Sequence, residues 1–105
     1  MSKYVYYEPM AKAAHPLREW TFLSNHGHVL IQLSRDPDAR IRDIASSVGI
    51  TERSAQAILA DLEESGYVNI SKIGRRNSYS INPRLKFRHP AEVGKPISAL
   101  LKIFT

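Results

Sequence analysis

The 105-residue chain contains no cysteine, which removes disulfides, thiolate metal sites and cysteine nucleophiles at once. It has no apolar run approaching the ~20 residues of a membrane span, and its first residues, MSKYVYYEPMAKAAHP, lack the apolar core of a secretory signal. A soluble cytoplasmic protein is the expectation. With only five glycines there is no glycine-rich phosphate loop, and no strand-to-helix elbow frames a serine, so an enzyme is not expected. No internal repeat or low-complexity tract stands out.

Acidic residues are missing from one stretch in particular. Between Ser71 and Ala91 lie six basic side chains, Lys72, Arg75, Arg76, Arg84, Lys86 and Arg88, and no acidic one. With a net charge of +5 this favours an anionic partner. A membrane surface is the poorer fit, because these residues do not share an amphipathic helix with a broad apolar face.

What is present suits one domain with one modest core, since 43% of the 105 residues are hydrophobic. The most informative stretch runs from Ile41 to Ile81. Ile44, Ala45 and Val48 recur at helical spacing and are followed by Gly49, where a helix would stop. After a turn at Gly49 and Ile50, Thr51 can cap a second helix, with Glu52 at the positive end of its dipole. In that helix Ala55, Ile58, Leu59 and Leu62 form one apolar stripe. The opposite face carries Arg53, Gln56, Ala57 and Ala60, which are short, polar or cationic, so a groove could admit it closely. Asp61, Glu63 and Glu64 come only toward its end, which leaves Thr51 to Ala57 as the end suited to reading bases.

Gly66 ends this helix in a conformation that favours glycine. Tyr67 to Ile73 and Ser78 to Ile81 then alternate as two strands, joined by a turn of Gly74, Arg75, Arg76 and Asn77 that presents two guanidinium groups to phosphate or a narrow minor groove. Helix, turn, helix and basic-tipped hairpin, in that order, are suited to the two grooves of DNA.

The flanks complete the reading. Residues 1–19 are expected to form an arm or irregular lead-in, whose Tyr4, Tyr6 and Tyr7 could dock on the surface of the body or on a partner subunit. A helix capped by Ser24 or Asn25 reaches about Ser34 with Val29, Leu30 and Leu33 inward, while Trp20 and Phe22 close the core beside it. Asp36, Pro37 and Asp38 break it, and Ala39, Arg40 and Ile41 could add a third strand to the hairpin. Near the end, Pro96 suits the first turn of a last helix whose Ile97, Leu100, Leu101 and Phe104 fall on one stripe. That stripe either closes its own core or pairs with a second subunit in a homodimer.

Four histidines raise the question of a metal. His26 and His28 stand two apart, so they do not share a helix face, and no cysteine or carboxylate cluster joins them. Neither a metal nor another cofactor is expected.

The segments GITERSAQAILADLEESGYV and GRRNSYSI resemble winged helix-turn-helix transcriptional regulators of the MarR and ArsR kind, above all small bacterial members consisting mainly of the DNA-binding domain. WTFLSNHGHVLIQLSRDPDARIRDIA upstream and FRHPAEVG downstream extend the resemblance over most of the chain from Trp20. It implies an α+β fold with a three-helix core, a β-hairpin wing and an additional C-terminal helix, divided into the arm, a winged helix domain over 20–88 and a C-terminal segment over 89–105. It further implies that Thr51, Arg53, Ser54, Gln56 and Ala57 face the major groove of double-stranded DNA. Arg75, Arg76 and Asn77 would lie in the wing. At position 57 many relatives carry a larger polar or basic residue than this alanine. Metal sensing, known in ArsR-like proteins, does not carry over to these histidines.

The expected function is sequence-specific DNA binding that regulates transcription. Arg53 and Gln56 read bases, since arginine pairs bidentately with guanine and glutamine with adenine. Thr51 and Ser54 hold phosphates, as do Arg75 and Arg76 from the wing. Arg42, Lys72 and Arg84 are weaker phosphate candidates. The alternatives are a winged helix that docks another protein, or one that binds structured RNA. No effector is identified by the sequence.

Overall fold

The computed structural model describes residues 20–105, so the arm with its tyrosines and His15 lies outside the described residues. Helix α1 spans Asn25–Arg35, with the Ser24 hydroxyl accepting from the Gly27 N–H at 3.4 Å. Its Val29, Leu30, Ile31 and Leu33 are buried. After the break at Asp36 and Pro37, α2 spans Ile41–Val48 and buries Ile44 and Ala45. Gly49 ends it at φ 88°, in the left-handed region that suits glycine.

Helix α3, Glu52–Glu64, begins one residue after its Thr51 cap and buries the stripe read from the sequence, Ala55, Ile58, Leu59 and Leu62. Strands β1, Val68–Ile73, and β2, Arg76–Ile81, then pair antiparallel, Val68 opposite Ile81 and Ile73 opposite Arg76. Val68, Ile70, Tyr79 and Ile81 share the face packed on the helical core, in keeping with the two-residue period of a strand. Only Gly74 and Arg75 remain as the loop. The positive φ of Gly74, 64°, at the first central position fits a type II′ turn, which matches the twist of the flanking strands. The expected four-residue turn is therefore shorter, and Arg76 and Asn77 belong to β2.

Two other expectations are corrected. The described residues form a two-stranded sheet, not three. Residues 39–41 cannot act as a strand because Arg40 caps α2, its carbonyl accepting from the Asp43 and Ile44 N–H groups, and Ile41 is already helical. A single main-chain bond, Tyr79 N–H to the Pro37 carbonyl at 2.9 Å, stands where the third strand would be. Nor do Trp20 and Phe22 close the core: they are 74% and 92% exposed, on the lead-in before α1, with their rings edge to face at 5.0 Å. The place beside α1 is taken by the last helix, which packs on α1 and gives Ile97 to the core.

That helix, α4, spans Ile97–Phe104, with Pro96 one position earlier than expected, at its cap. The Ile97 N–H donates to the Leu85 carbonyl at 2.7 Å, and the Tyr67 hydroxyl donates to the Lys86 carbonyl at 2.5 Å. At its far end Arg35 donates from Nε and Nη2 to the Phe104 carbonyl, a cation at the negative end of the helix dipole. The apolar stripe is divided. Ile97 and Leu100 are buried in their own domain and Leu101 is half-buried, whereas Phe104 is 41% exposed.

Candidate nucleic-acid interface

Because the inner stripe of α3 is fixed in the core, its outer stripe is determined too. Arg53, Ala57, Ala60 and Glu64 follow at i, i+4, i+7 and i+11, with Gln56 beside them, and all five are exposed. A helix with side chains is ~10–12 Å across and the major groove is ~12 Å wide, so two alanines at the centre of the face permit close approach. Arg53 and Gln56 flank that low ground and stand above it. Glu64 marks where the face turns unfavourable to phosphate.

The start of α3 is differently occupied than the sequence suggested. Thr51 Oγ1 accepts from the Ser54 N–H at 3.0 Å and donates to Ser54 Oγ at 3.0 Å, so its hydroxyl is engaged in capping. The Ser54 hydroxyl keeps its own proton to donate. Among the described residues the N–H groups of Glu52 and Arg53 have no protein partner, as expected of a helix first turn.

Helix α2 begins with no side-chain cap at all. Arg40 occupies the cap position and Arg42 the second helical one, both exposed and both cationic at the positive end of the dipole. Asp43, the acidic residue of the same turn, meets the dipole with the favourable sign and offsets these cations in part. Arg42 was read from the sequence, whereas Arg40 was missed. The signal for it was the absence of a serine, threonine, asparagine or aspartate before Ile41.

The basic run divides in space. Arg75 is exposed at the hairpin tip, and Lys72 and Asn77 face each other across the strands next to it. Arg84 follows the other end of β2, about 20 Å from the tip for six residues of strand. Arg88 donates to Ser65 Oγ at 3.2 Å, at the end of α3 farthest from Thr51. Arg76, in β2, turns its Nη2 back to the main-chain oxygen of Asp38 at 2.5 Å. The Asp38 carboxylate accepts from the Ser78 hydroxyl at 2.9 Å. No local pattern in the sequence marked Asp38, because its partners lie 38 and 40 residues away.

The three histidines among the described residues are used singly. His26 Nε2 lies 2.8 Å from Asp61 Oδ2, His28 Nδ1 lies 3.2 Å from Asn25 Oδ1, and His89 Nδ1 accepts from the Ala91 N–H. Among the described residues no three histidine, aspartate or glutamate side chains are placed to hold a metal ion. The His26–Asp61 pair stands at the rim of an open cleft of about 820 Å³, between α1, the acidic end of α3 and α4. No helix of the described residues is long and apolar enough to cross a membrane.

Residues 24–69, which run from the α1 cap into β1, match a family model described as winged helix-turn-helix DNA-binding. The structure is also similar to that of MepR, a transcription regulator of the Staphylococcus aureus multidrug efflux pump MepA, with a TM-score of 0.54 at 20% sequence identity. The likeness covers 84% of this chain and 62% of MepR, and at that identity it establishes the α+β winged helix-turn-helix fold. No curated protein matches the sequence.

Proposed function

We propose that this chain, with a winged helix-turn-helix DNA-binding domain over residues 24–69, binds duplex DNA sequence-specifically and so regulates transcription. The observation that carries this reading is the outer face of α3, where Arg53 and Gln56 flank two exposed alanines and no acid intervenes before Asp61. Such a face fits a major groove and offers two side chains able to pair with base edges. The fold it shares with MepR, itself a transcription regulator, supports the same reading.

In this scheme the Ser54 hydroxyl, the first N–H groups of α3 and the uncapped start of α2 with Arg40 and Arg42 hold phosphates. Thr51 shapes the helix start and Ala57 admits the groove wall. Arg75 reaches phosphate or minor groove from the wing tip, with Lys72 and Asn77 behind it. Arg84, at the hairpin base, is a peripheral contact. The protein acts by binding, without catalysis, in the cytoplasm. Two copies occupy a palindromic site with half-sites ~34–36 Å apart, joined through the exposed end of the C-terminal stripe, Leu101 and Phe104, with Ile97 and Leu100 supporting it from the core.

The test is selection of bound fragments from genomic DNA, followed by retardation assays with random competitor at two salt concentrations and light scattering of the complex. Gln56→Ala is expected to cost ~1–3 kcal/mol on the selected site and little on random DNA. Scattering is expected to give two chains of 11.9 kDa per site. Equal losses on both DNAs contradict base reading by Gln56. Absence of retardation at low salt favours a protein-docking winged helix, and preference for RNA favours a structured-RNA binder.

A further inference from the structure

We propose that the loop between α1 and α2 is a clamp that sets the angle of the wing, with Asp38 and Arg76 as positioning residues and Arg75 as the wing's phosphate-contacting cation. The assignment of Arg75 rests on the DNA-binding reading above; the clamp itself does not.

In a two-stranded hairpin each strand leaves one edge unpaired, and the outer edge of β2 is occupied by this loop. The Tyr79 N–H donates to the Pro37 carbonyl at 2.9 Å, the Ser78 hydroxyl to Asp38 Oδ1 at 2.9 Å and Arg76 Nη2 to the Asp38 carbonyl at 2.5 Å. All three donors lie on the strand, within residues 76–79, and all three acceptors lie on two consecutive loop residues. The loop is itself shaped to present them. Asp36 Oδ1 accepts from the Asp38 N–H and the Asp36 carbonyl accepts from the Ala39 N–H, both at 3.2 Å. Past the last ladder pair, Ile73 opposite Arg76, the tip is open: Gly74 and Arg75 are exposed, and among the described residues no side chain packs on Gly74.

This geometry separates two arginines that the sequence presents as equals. Arg76 sits in β2 opposite Ile73 and directs its guanidinium back to a main-chain oxygen 38 residues earlier. Arg75 sits in the turn and has no hydrogen-bond partner or ion pair among the described residues. One arginine therefore holds the wing, and the other is left to meet a phosphate.

Salt dependence distinguishes the two roles, because each phosphate neutralised contributes about 0.9 to the slope of log affinity against log salt. Arg75→Gln is expected to reduce the slope by about that amount. Arg76→Gln removes the charge and keeps an N–H donor, so it is expected to keep the wild-type slope. Arg76→Ala and Ser78→Ala remove a clamp bond and are expected to weaken binding ~3–10-fold, the effect of one lost hydrogen bond, at unchanged slope. If Arg76→Gln lowers the slope as Arg75→Gln does, the division of roles is overturned. Amide hydrogen exchange of Tyr79 in the DNA-free protein reads the clamp directly: Arg76→Ala and Ser78→Ala are expected to accelerate it, and unchanged exchange overturns the clamp. Should the wild-type chain bind no duplex, the functional reading falls while the exchange measurement still decides the clamp.

Discussion

Helix α3 is seated by four buried apolar side chains, whereas the outer half of the hairpin, from Ser71 round to Asn77, buries none and is held through β2 by three hydrogen bonds to a distant loop. Fully burying one aliphatic side chain contributes ~1.5–3 kcal/mol, against ~0.5–1.5 kcal/mol for a typical hydrogen bond. The angle of α3 is thus a property of the core and changes only when the core does. The base of the wing shares that core through Val68, Ile70, Tyr79 and Ile81, but its outer half leans on a few polar groups, so single surface substitutions reach it without unfolding the base.

The strongest way to break this contrast is to attack the seat of α3. Ile44 is 1% exposed in the core shared by α2 and α3, so Ile44→Ala is expected to lower stability by ~2–5 kcal/mol in urea titration and to abolish DNA binding with it. Retained binding at that loss of stability means that α3 does not depend on the core as argued. A smaller effect is expected from Thr51→Ala, which leaves the Ser54 N–H without its cap and costs ~1 kcal/mol. Thermal melting reads that loss, and fraying confined to the first turn of α3 sharpens the contrast. The smallest effect belongs to the tip. Ile73, 69% exposed, contributes little to the fold, and Ile73→Thr is expected to change stability by less than ~0.5 kcal/mol. A larger loss reveals packing at the tip and removes the contrast.

The same division explains what the sequence made legible. The three core helices and both hairpin strands follow from local signals: 3.6-residue stripes in α1 to α3, two-residue alternation in β1 and β2, capping by Ser24 and Thr51, and glycines at positions 49 and 66 that take positive φ. The outer face of α3 was legible for the same reason, since fixing one face of a helix fixes the other. The missing third strand was not legible, because residues 39–41 are equally able to be extended, and the outcome turned on Arg40 serving as the start of α2. The exposure of Trp20 and Phe22 was not legible either, because the packing of α4 on α1 joins segments 69 residues apart at Arg35 and Phe104, which no local window contains. The distinction between Arg75 and Arg76 was invisible for a related reason. The turn proved two residues long, which leaves Arg75 in the loop and Arg76 in the strand, and Arg76 then meets Asp38 through a contact that no periodicity reports across that distance.

Ala57 and Ala60 have a consequence for how such a protein can change. They occupy the centre of the outward face, contribute nothing to the core, and leave their Cβ atoms exposed. Larger side chains placed there change the shape and chemistry of that face while the inner stripe stays untouched. That face can therefore be rewritten one position at a time at little cost in folding, as a key blank is recut without recasting the bow.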